Sequence, residues 1–308
     1  MLQLASTSEP TTDERLSHRT VVDAHRIECP LCNDDSRTLF QKHGIWIREC
    51  TACRHRFANS EMPNDHVEQV YGDDYFFSGG AGDDNYLSEA GLLVPHGRRY
   101  GRLLKRHGAG TSLLDVGAAA GLILKGLVEE GFDGRGVEPN STMATFAQVE
   151  LQLNVEASSF EHFEPDTQFD VLTVIQVMGH FIDPVEVVGK LHRLMKPGGL
   201  CLVETWDAGS WPARLLGSNW HEYSPPSVLQ WFSRGSWNQL FERCQFEPVA
   251  TGHPSKWINA SHVCSLIDHK LPHSRWADAV RSGLRCMPAS LNLPYPSDDL
   301  FWTLFRRI

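Results

Sequence analysis

One run constrains this chain more than any other: Leu113, Leu114, Asp115, Val116, Gly117, Ala118, Ala119, Ala120 and Gly121. The two leucines and Val116 suit a strand covered on both faces. Gly117 permits a sharp turn, and the alanines leave room for a ligand to lie against the main chain. A helix opens at Leu122, so its unpaired N–H groups and positive end face the same gap. Farther on, Gly134, Arg135, Gly136, Val137 and Glu138 read as a short second strand closing on an acid. A glycine-bearing strand, turn and helix, followed about 20 residues later by an acid, make a nucleotide site in which the acid meets ribose hydroxyls. The same Gly/Ala turn with a downstream acid occurs in many parallel-sheet proteins, so the run alone leaves the ligand open.

The 308 residues allow one α/β domain and a small appendage. A formal net charge of −10, with no dense Lys/Arg block, argues against a nucleic-acid substrate. No apolar run reaches the roughly 18 residues a membrane helix needs. The N-terminal stretch is polar without an apolar signal core, so a cytoplasmic protein is expected. In that compartment the 8 cysteines read as metal ligands or buried thiols rather than disulfides.

Cys29 and Cys32 form one CxxC knuckle, and Cys50 and Cys53 form a second. Two such knuckles at this separation predict a four-cysteine zinc ribbon. Between them, 38–40 and 45–47 read as the strands of a hairpin around Gly44. So small a segment is held by metal rather than by burial. Four thiolates close the coordination sphere, which makes the zinc structural. A redox CxxC pair is the alternative. His43 and His55 are surplus to the four thiolates and are expected on the surface.

Residues 1–26 read as a loose polar tail, 27–58 as the ribbon, and 59–100 as an acidic, aromatic linker and lid. The aromatics of that linker either cover a pocket or pack the ribbon on the main domain. A helix over 95–107 leads into the first strand of the 101–308 domain. A helix over 141–151 and strands at 154–157 and 169–175 follow. The fourth strand ends at Gln176, Val177, Met178, Gly179 and His180, where doubly wound sheets bind ligands. His180 is the candidate general base by position and by the range in which imidazole titrates; a loop-ordering histidine is the other reading. After a fifth strand at 200–205, the Trp-rich stretch 206–226 is too long for a plain connection. Its His221, Glu222 and Tyr223 suit either an acceptor pocket or a capping loop. A helix over 227–241, a sixth strand over 246–252, an insertion over 254–294 and a last strand antiparallel to the sixth complete the chain.

The run from Asp115 to Gly121, with Glu138 beyond it, resembles motif I and its acidic partner in class I S-adenosylmethionine-dependent methyltransferases. The turn at Lys196, Pro197, Gly198 and Gly199 is similar to the family's as well. So are the stretch Val70, Tyr71, Gly72, Asp73, Asp74, Tyr75, Phe76, the loop with Trp220, Ser224, Pro225, Pro226, Leu229, Phe232 and Ser233, and the tail with Pro294, Tyr295 and Asp298 or Asp299. Together they resemble a subgroup that carries an N-terminal CxxC…CxxC ribbon. The resemblance implies a Rossmann-like α/β fold, a doubly wound, mostly parallel seven-stranded sheet, with the ribbon as a small N-terminal domain. It implies S-adenosylmethionine as cofactor, held by Asp115, Gly117, Ala119 and Gly121 at the methionine end and by Glu138 at the ribose. Ser159 and Phe160 stand where such enzymes meet adenine; Phe160 suits a core position equally. Ala119 replaces a family glycine. Gln176 stands where the family has an acid, and Gly179 precedes His180 where the family has Glu-His, so two acids are missing. Val228 replaces a histidine that relatives often have.

The expected function is methyl transfer to a small metabolite or sugar-like acceptor, as an O-methylation with His180 as base and His221 or Tyr223 as second choices. Deoxysugar C-methyltransferases share the ribbon but carry a further C-terminal domain, which these 308 residues are not expected to include. Two rivals stand beside this: a ribosomal-RNA methyltransferase with a zinc ribbon, and a non-catalytic interaction protein on the same fold. Oligomeric state is not readable from the chain.

Overall fold

The structure, a computed structural model, describes residues 27–59, 86–254, 257–259, 292–294 and 299–308. The tail, most of the 59–100 linker and most of the 254–294 insertion, including Tyr71, Tyr75 and Tyr295, lie outside the described residues.

The chain begins with three antiparallel strands, β1 (Ser36–Lys42), β2 (Ile45–Cys50) and β3 (Arg56–Asn59). The β1–β2 turn is made by His43 and Gly44, both at positive φ (48° and 81°), as a tight hairpin turn requires. A turn at Tyr86–Glu89 leads into helix α1 (Ala90–Arg106). This helix starts earlier than 95: Pro95 lies inside it, in the second turn, where it removes one i→i−4 backbone bond.

Then come β4 (Ser112–Val116), α2 (Leu122–Glu129), β5 (Asp133–Glu138), α3 (Ser141–Val149), β6 (Asn154–Ala157), β7 (Phe169–Ile175), α4 (Pro184–Leu194) and β8 (Met195–Trp206). A short helix α5 (Trp211–Leu216) precedes β9 (Gln230–Trp231), α6 (Arg234–Arg243) and β10 (Phe246–Gly252). The paired β11 (Trp257–Asn259) and β12 (Asn292–Pro294) precede β13 (Leu300–Arg307). The main sheet has the order β10-β13-β8-β7-β4-β5-β6. Its members are parallel except β13, which runs antiparallel to β8 and β10. This is the expected seven-stranded, mostly parallel sheet.

Side-chain alternation sorts the core into two layers. Leu114, Val116, Leu172, Val174, Cys201 and Val203 pack with α4 and α6. Leu113, Val171, Leu200 and Leu202 pack with α1, α2 and α3. Helices α1 and α2 cross in near contact: a Cβ on Gly97 would stand 2.1 Å from the Ile123 carbonyl oxygen, and one on Gly126 would stand 2.2 Å from that of Val94. Gly126→Ala therefore forces two backbones apart. It is expected to cost about 1–3 kcal/mol, read as a lower urea midpoint with an unchanged slope.

Two elements differ from the expectation. The 227–241 segment is not one helix. Gln230 and Trp231 instead add a fourth strand to the ribbon sheet, pairing with Phe57 and Arg56, and α6 starts only after the Ser233 cap. His55 is not on the surface: it is fully buried, with its Nε2 2.8 Å from Oε1 of Gln230. Burial pushes its imidazole down to about 4, against the Gln230 contact. Both differences have one cause. The ribbon is packed on the main domain, and Cys29, Leu31, Cys50 and Phe57 share a core cluster with Phe232, Trp237 and Phe241.

Candidate active site and metal cluster

The carboxyl ends of β4, β5, β6 and β7 gather the predicted residues along one edge. After β4, Gly117 has φ 71°. A side chain there would meet Val177, whose Cγ2 lies 2.6 Å from the Cβ position. Ala119 is also left-handed, at φ 47°, a conformation an L-residue adopts only under constraint. The constraint is visible: the Ala119 N–H donates to Oε2 of Glu138 at 2.8 Å. The other carboxylate oxygen accepts from the Asn140 N–H at 2.9 Å. Glu138 thus ties the β4 turn to the β5 end, and Gly121, at φ 76°, starts α2 with no side-chain cap.

Asp115 is buried and accepts from the Thr173 hydroxyl at 2.6 Å. Strand alternation turns Asp115, Thr173 and Glu204 toward the same helical layer as Leu113, Val171 and Leu202. Burial raises the Asp115 carboxyl to about 7; the Thr173 hydroxyl opposes the rise and the Glu138 charge adds to it. Burial likewise raises Glu138 to about 7, against the two backbone N–H groups that favour its charge.

Ser159 follows β6, with its hydroxyl 3.0 Å from Nδ1 of His162. Phe160 takes the core alternative: it is buried against Phe181 and covered by the Lys190 ammonium at 5.4 Å. Gln176 has φ 58° and donates from Nε2 to Glu204 at 2.7 Å.

The three candidate base residues fare differently. The ring of His180 sits between two backbone carbonyls, with Nδ1 2.8 Å from Ser227 O and Nε2 3.1 Å from Gln176 O. That geometry orders the loop. His221 keeps 33% of its side chain exposed, lies 3.3 Å from Glu222 and packs edge-on to Trp206. Tyr223 corrects the expectation: it is 1% exposed, and its hydroxyl accepts from Arg56 at 2.6 Å. With Trp220, Trp231, Phe40 and Ile47 it forms the seam between the Trp-rich loop and the ribbon. The same Arg56 also bonds Glu49, a buried acid that Arg37 and Arg54 reach as well.

One further cluster surrounds Glu204, which is not among the expected site residues. Glu204, fully buried in β8, receives Tyr100 and Gln176 and lies 3.1 Å from Nε2 of His96. Burial alone would raise the Glu204 carboxyl, but His96, Tyr100 and Gln176 together hold it below its ordinary value. Two features of the sequence pointed here: an acid in an otherwise apolar strand, and His96 and Tyr100 four apart on one helix face.

The sulfurs of Cys29, Cys32, Cys50 and Cys53 lie within 4.8 Å of one another. Three pairs stand at 3.4, 3.6 and 3.7 Å, close to the edge of about 3.8 Å of a zinc–thiolate tetrahedron. The N–H groups of Leu31 and Cys53 point at Sγ of Cys29 and Cys50, as knuckle turns do. The donor set fits a tetrahedral ion.

A parallel sheet with one antiparallel member, a Gly/Ala turn after its central strand and an acid closing the next strand define a class I methyltransferase fold. The chain belongs to the methyltransferase-domain family: a family model described as "Methyltransferase domain" matches residues 95–251. The ubiquinone biosynthesis O-methyltransferase of Rhodopseudomonas palustris (strain HaA2) is 26% identical over 146 residues, 45% of this chain and 56% of that protein. Its counterpart from strain BisB5 is 28% identical over 151 residues, 47% of this chain and 58% of that protein. The chain thus spans little more than half the length of these relatives. Among solved structures, magnesium protoporphyrin IX methyltransferase from Synechocystis PCC 6803 with bound S-adenosylhomocysteine superposes with a TM-score of 0.50 at 11% identity, covering 79% of this chain and 100% of that one. Burkholderia thailandensis 1,6-didemethyltoxoflavin-N1-methyltransferase, also with bound S-adenosylhomocysteine, gives 0.50 at 13%, covering 88% and 99%. At these identities the likeness concerns the fold. Among the described residues no helix is long and apolar enough to cross a membrane.

Proposed function

We propose that this protein transfers a methyl group from S-adenosylmethionine to an oxygen of a small-molecule acceptor, in the cytoplasm. One observation carries the reading: the Glu138 carboxylate, bonded to the Ala119 and Asn140 N–H groups at the Gly117 turn. A carboxylate so fixed keeps acceptor capacity for two ribose hydroxyls. Asp115, Gly117, Ala119 and Gly121 form the cradle for the methionine end, and Ser159 and Gln176 stand on either flank. The cofactor supplies an electrophilic methyl group on a sulfonium. The protein aligns the acceptor and receives its proton. The acidic balance of the chain favours a small acceptor over RNA. Oxygen as the methylated atom follows the names of the relatives, and a hydroxyl is the acceptor group that needs a base.

We assign Cys29, Cys32, Cys50 and Cys53 to one structural zinc ion. Four thiolates leave no open position, so the ion organises the ribbon and takes no part in chemistry. Reduced cysteines suit the cytoplasm.

The test is incubation with methyl-labelled S-adenosylmethionine and the small-molecule extract of producing cells, supplemented with phenols and catechols. Label is expected in the small-molecule fraction with one S-adenosylhomocysteine per methyl. No transfer overturns the reading, and label in added RNA overturns its small-acceptor part.

The raised carboxyls give a pH prediction. Both are partly protonated near pH 7 in the ligand-free protein, and ribose hydroxyls and a cationic ligand favour the ionised forms. S-adenosylmethionine affinity is therefore expected to rise from pH 6 to pH 8, with proton release on binding. Calorimetry in two buffers of different ionisation enthalpy reads both.

A further inference from the structure

Glu204, His96, Tyr100 and Gln176 are not accounted for by cofactor binding, and their geometry has a direction. The Glu204 carboxylate is fully buried, and each oxygen is engaged: Oε1 by Gln176 Nε2 at 2.7 Å, Oε2 by the Tyr100 hydroxyl and by His96 Nε2 at 3.1 Å. A carboxylate with no proton of its own accepts, so the His96 proton sits on Nε2. The His96 lone pair is then on Nδ1. That nitrogen receives Arg99 Nη2 at 3.2 Å, and the His96 side chain keeps 12% of its surface exposed. Tyr100 braces the ring edge-on at 4.5 Å. Among the described residues, the titratable and charged groups facing His96 are thus Arg99 and Tyr100 from α1 and Glu204 from β8.

The cluster borders the cofactor cradle. Gln176 directly precedes Val177, the residue that closes on Gly117, and its own N–H bonds the Glu204 carbonyl at 2.8 Å. Gln176, which stands where the resemblance implies an acid, donates its amide to the Glu204 carboxylate on the neighbouring strand.

We propose that His96 is a catalytic residue that takes the acceptor's proton at Nδ1, with Glu204 positioning the ring through Nε2. This rests on the methyl-transfer reading above. The acceptor's hydroxyl replaces Arg99 as donor to Nδ1. Its oxygen then forms a bond to the methyl carbon as the carbon–sulfur bond breaks, and that electron pair stays on sulfur as a neutral thioether. The hydroxyl proton ends on His96, and the positive charge of the sulfonium ends on the imidazolium beside Glu204. His180 is left with its loop-ordering bonds.

The test compares wild type, His96→Gln, Glu204→Gln and His180→Gln, using labelled S-adenosylmethionine and the extract-plus-phenol mixture above. His96→Gln is expected to lower kcat/KM by about 10²–10⁴-fold, with S-adenosylhomocysteine affinity by calorimetry within threefold of wild type. Glu204→Gln is expected to lower kcat about tenfold while KM and S-adenosylhomocysteine affinity stay within threefold, because the ring loses the carboxylate that fixes its Nε2 proton. A readout independent of turnover is carbethoxylation by diethylpyrocarbonate: His96 is expected to react in the folded protein at pH 7, and a bound acceptor analogue is expected to protect it. An active wild type with an equally active His96→Gln overturns the inference alone, as does an unreactive His96. A tenfold loss of S-adenosylhomocysteine affinity in His96→Gln also overturns it, since the ring then serves the cofactor. A wild type that transfers no label removes the methyl-transfer reading and this inference with it.

Discussion

Glu138→Ala is expected to weaken S-adenosylhomocysteine binding by about 10²–10⁴-fold. On the proposed reading, two charge-assisted hydrogen bonds to ribose hydroxyls, each worth about 1.5–3 kcal/mol, are lost together. The substitution also removes the partner of the Ala119 and Asn140 N–H groups, so the left-handed turn at Ala119 loses what holds it. Stability is expected to move differently. Burial raises the Glu138 carboxyl to about 7, above its unfolded value. Its ionised form therefore costs folding free energy above pH 7, and that cost is relieved as pH falls through 7. Glu138→Gln at pH 8 removes that cost but leaves one of the two backbone N–H groups without an acceptor, so the thermal midpoint is expected to change by only a few degrees while affinity falls at least tenfold. Such a divergence marks a residue kept for binding rather than for the fold. Parallel losses of stability and affinity would instead make Glu138 a structural brace.

On the four-thiolate assignment, Cys50→Ser is expected to abolish zinc binding and unfold the ribbon. A three-thiolate site binds far more weakly, and the folding of so small a unit is coupled to its metal. The consequences reach beyond residues 27–59. Cys50 and Phe57 belong to the core cluster that contains Phe232, Trp237 and Phe241. β3 pairs with β9, and Arg56 joins Glu49 to Tyr223. Losing the ribbon therefore exposes Trp231 and Tyr223 and loosens the Trp-rich loop beside the catalytic edge. The expected result is a red-shifted tryptophan emission, a thermal midpoint lower by several degrees and rapid proteolysis near the ribbon. The S-adenosylhomocysteine affinity, set by β4 and β5, stays within a few fold. Metal analysis of the wild-type chain should give one zinc per chain. A Cys50→Ser variant with full zinc content and unchanged emission would remove the ion from these four sulfurs.

The parts of this molecule legible in its sequence are those written in short-range chemistry. The Gly117 turn, the acid at Glu138 and the paired knuckles each depend on residue types close together in the chain, and the structure places them as the spacing implies. The parallel strands were legible because runs such as Val171 to Ile175 are almost entirely apolar on both faces, Thr173 excepted. What escaped depends on distant partners. A two-residue strand at Gln230 exists only because the edge of β3 is there to pair with it. His55 is buried because Gln230, 175 residues away, meets its ring. Phe160 and Tyr223 each have two readings by position, and packing against α4 and the ribbon selects the inward one. The His96–Glu204 contact spans 108 residues and was invisible for the same reason, although a lone acid in β8 was its local trace.

Class, cradle and cluster meet in one claim: the carboxyl edge between β4 and β5 binds S-adenosylmethionine through Glu138. Titration of the wild-type chain with S-adenosylhomocysteine at pH 8, with NAD as the control dinucleotide, tests it most directly. Saturable one-to-one binding in the micromolar range, abolished by Glu138→Ala, is expected, with no heat from NAD. Absence of S-adenosylhomocysteine binding, or binding that survives Glu138→Ala unchanged, would contradict it.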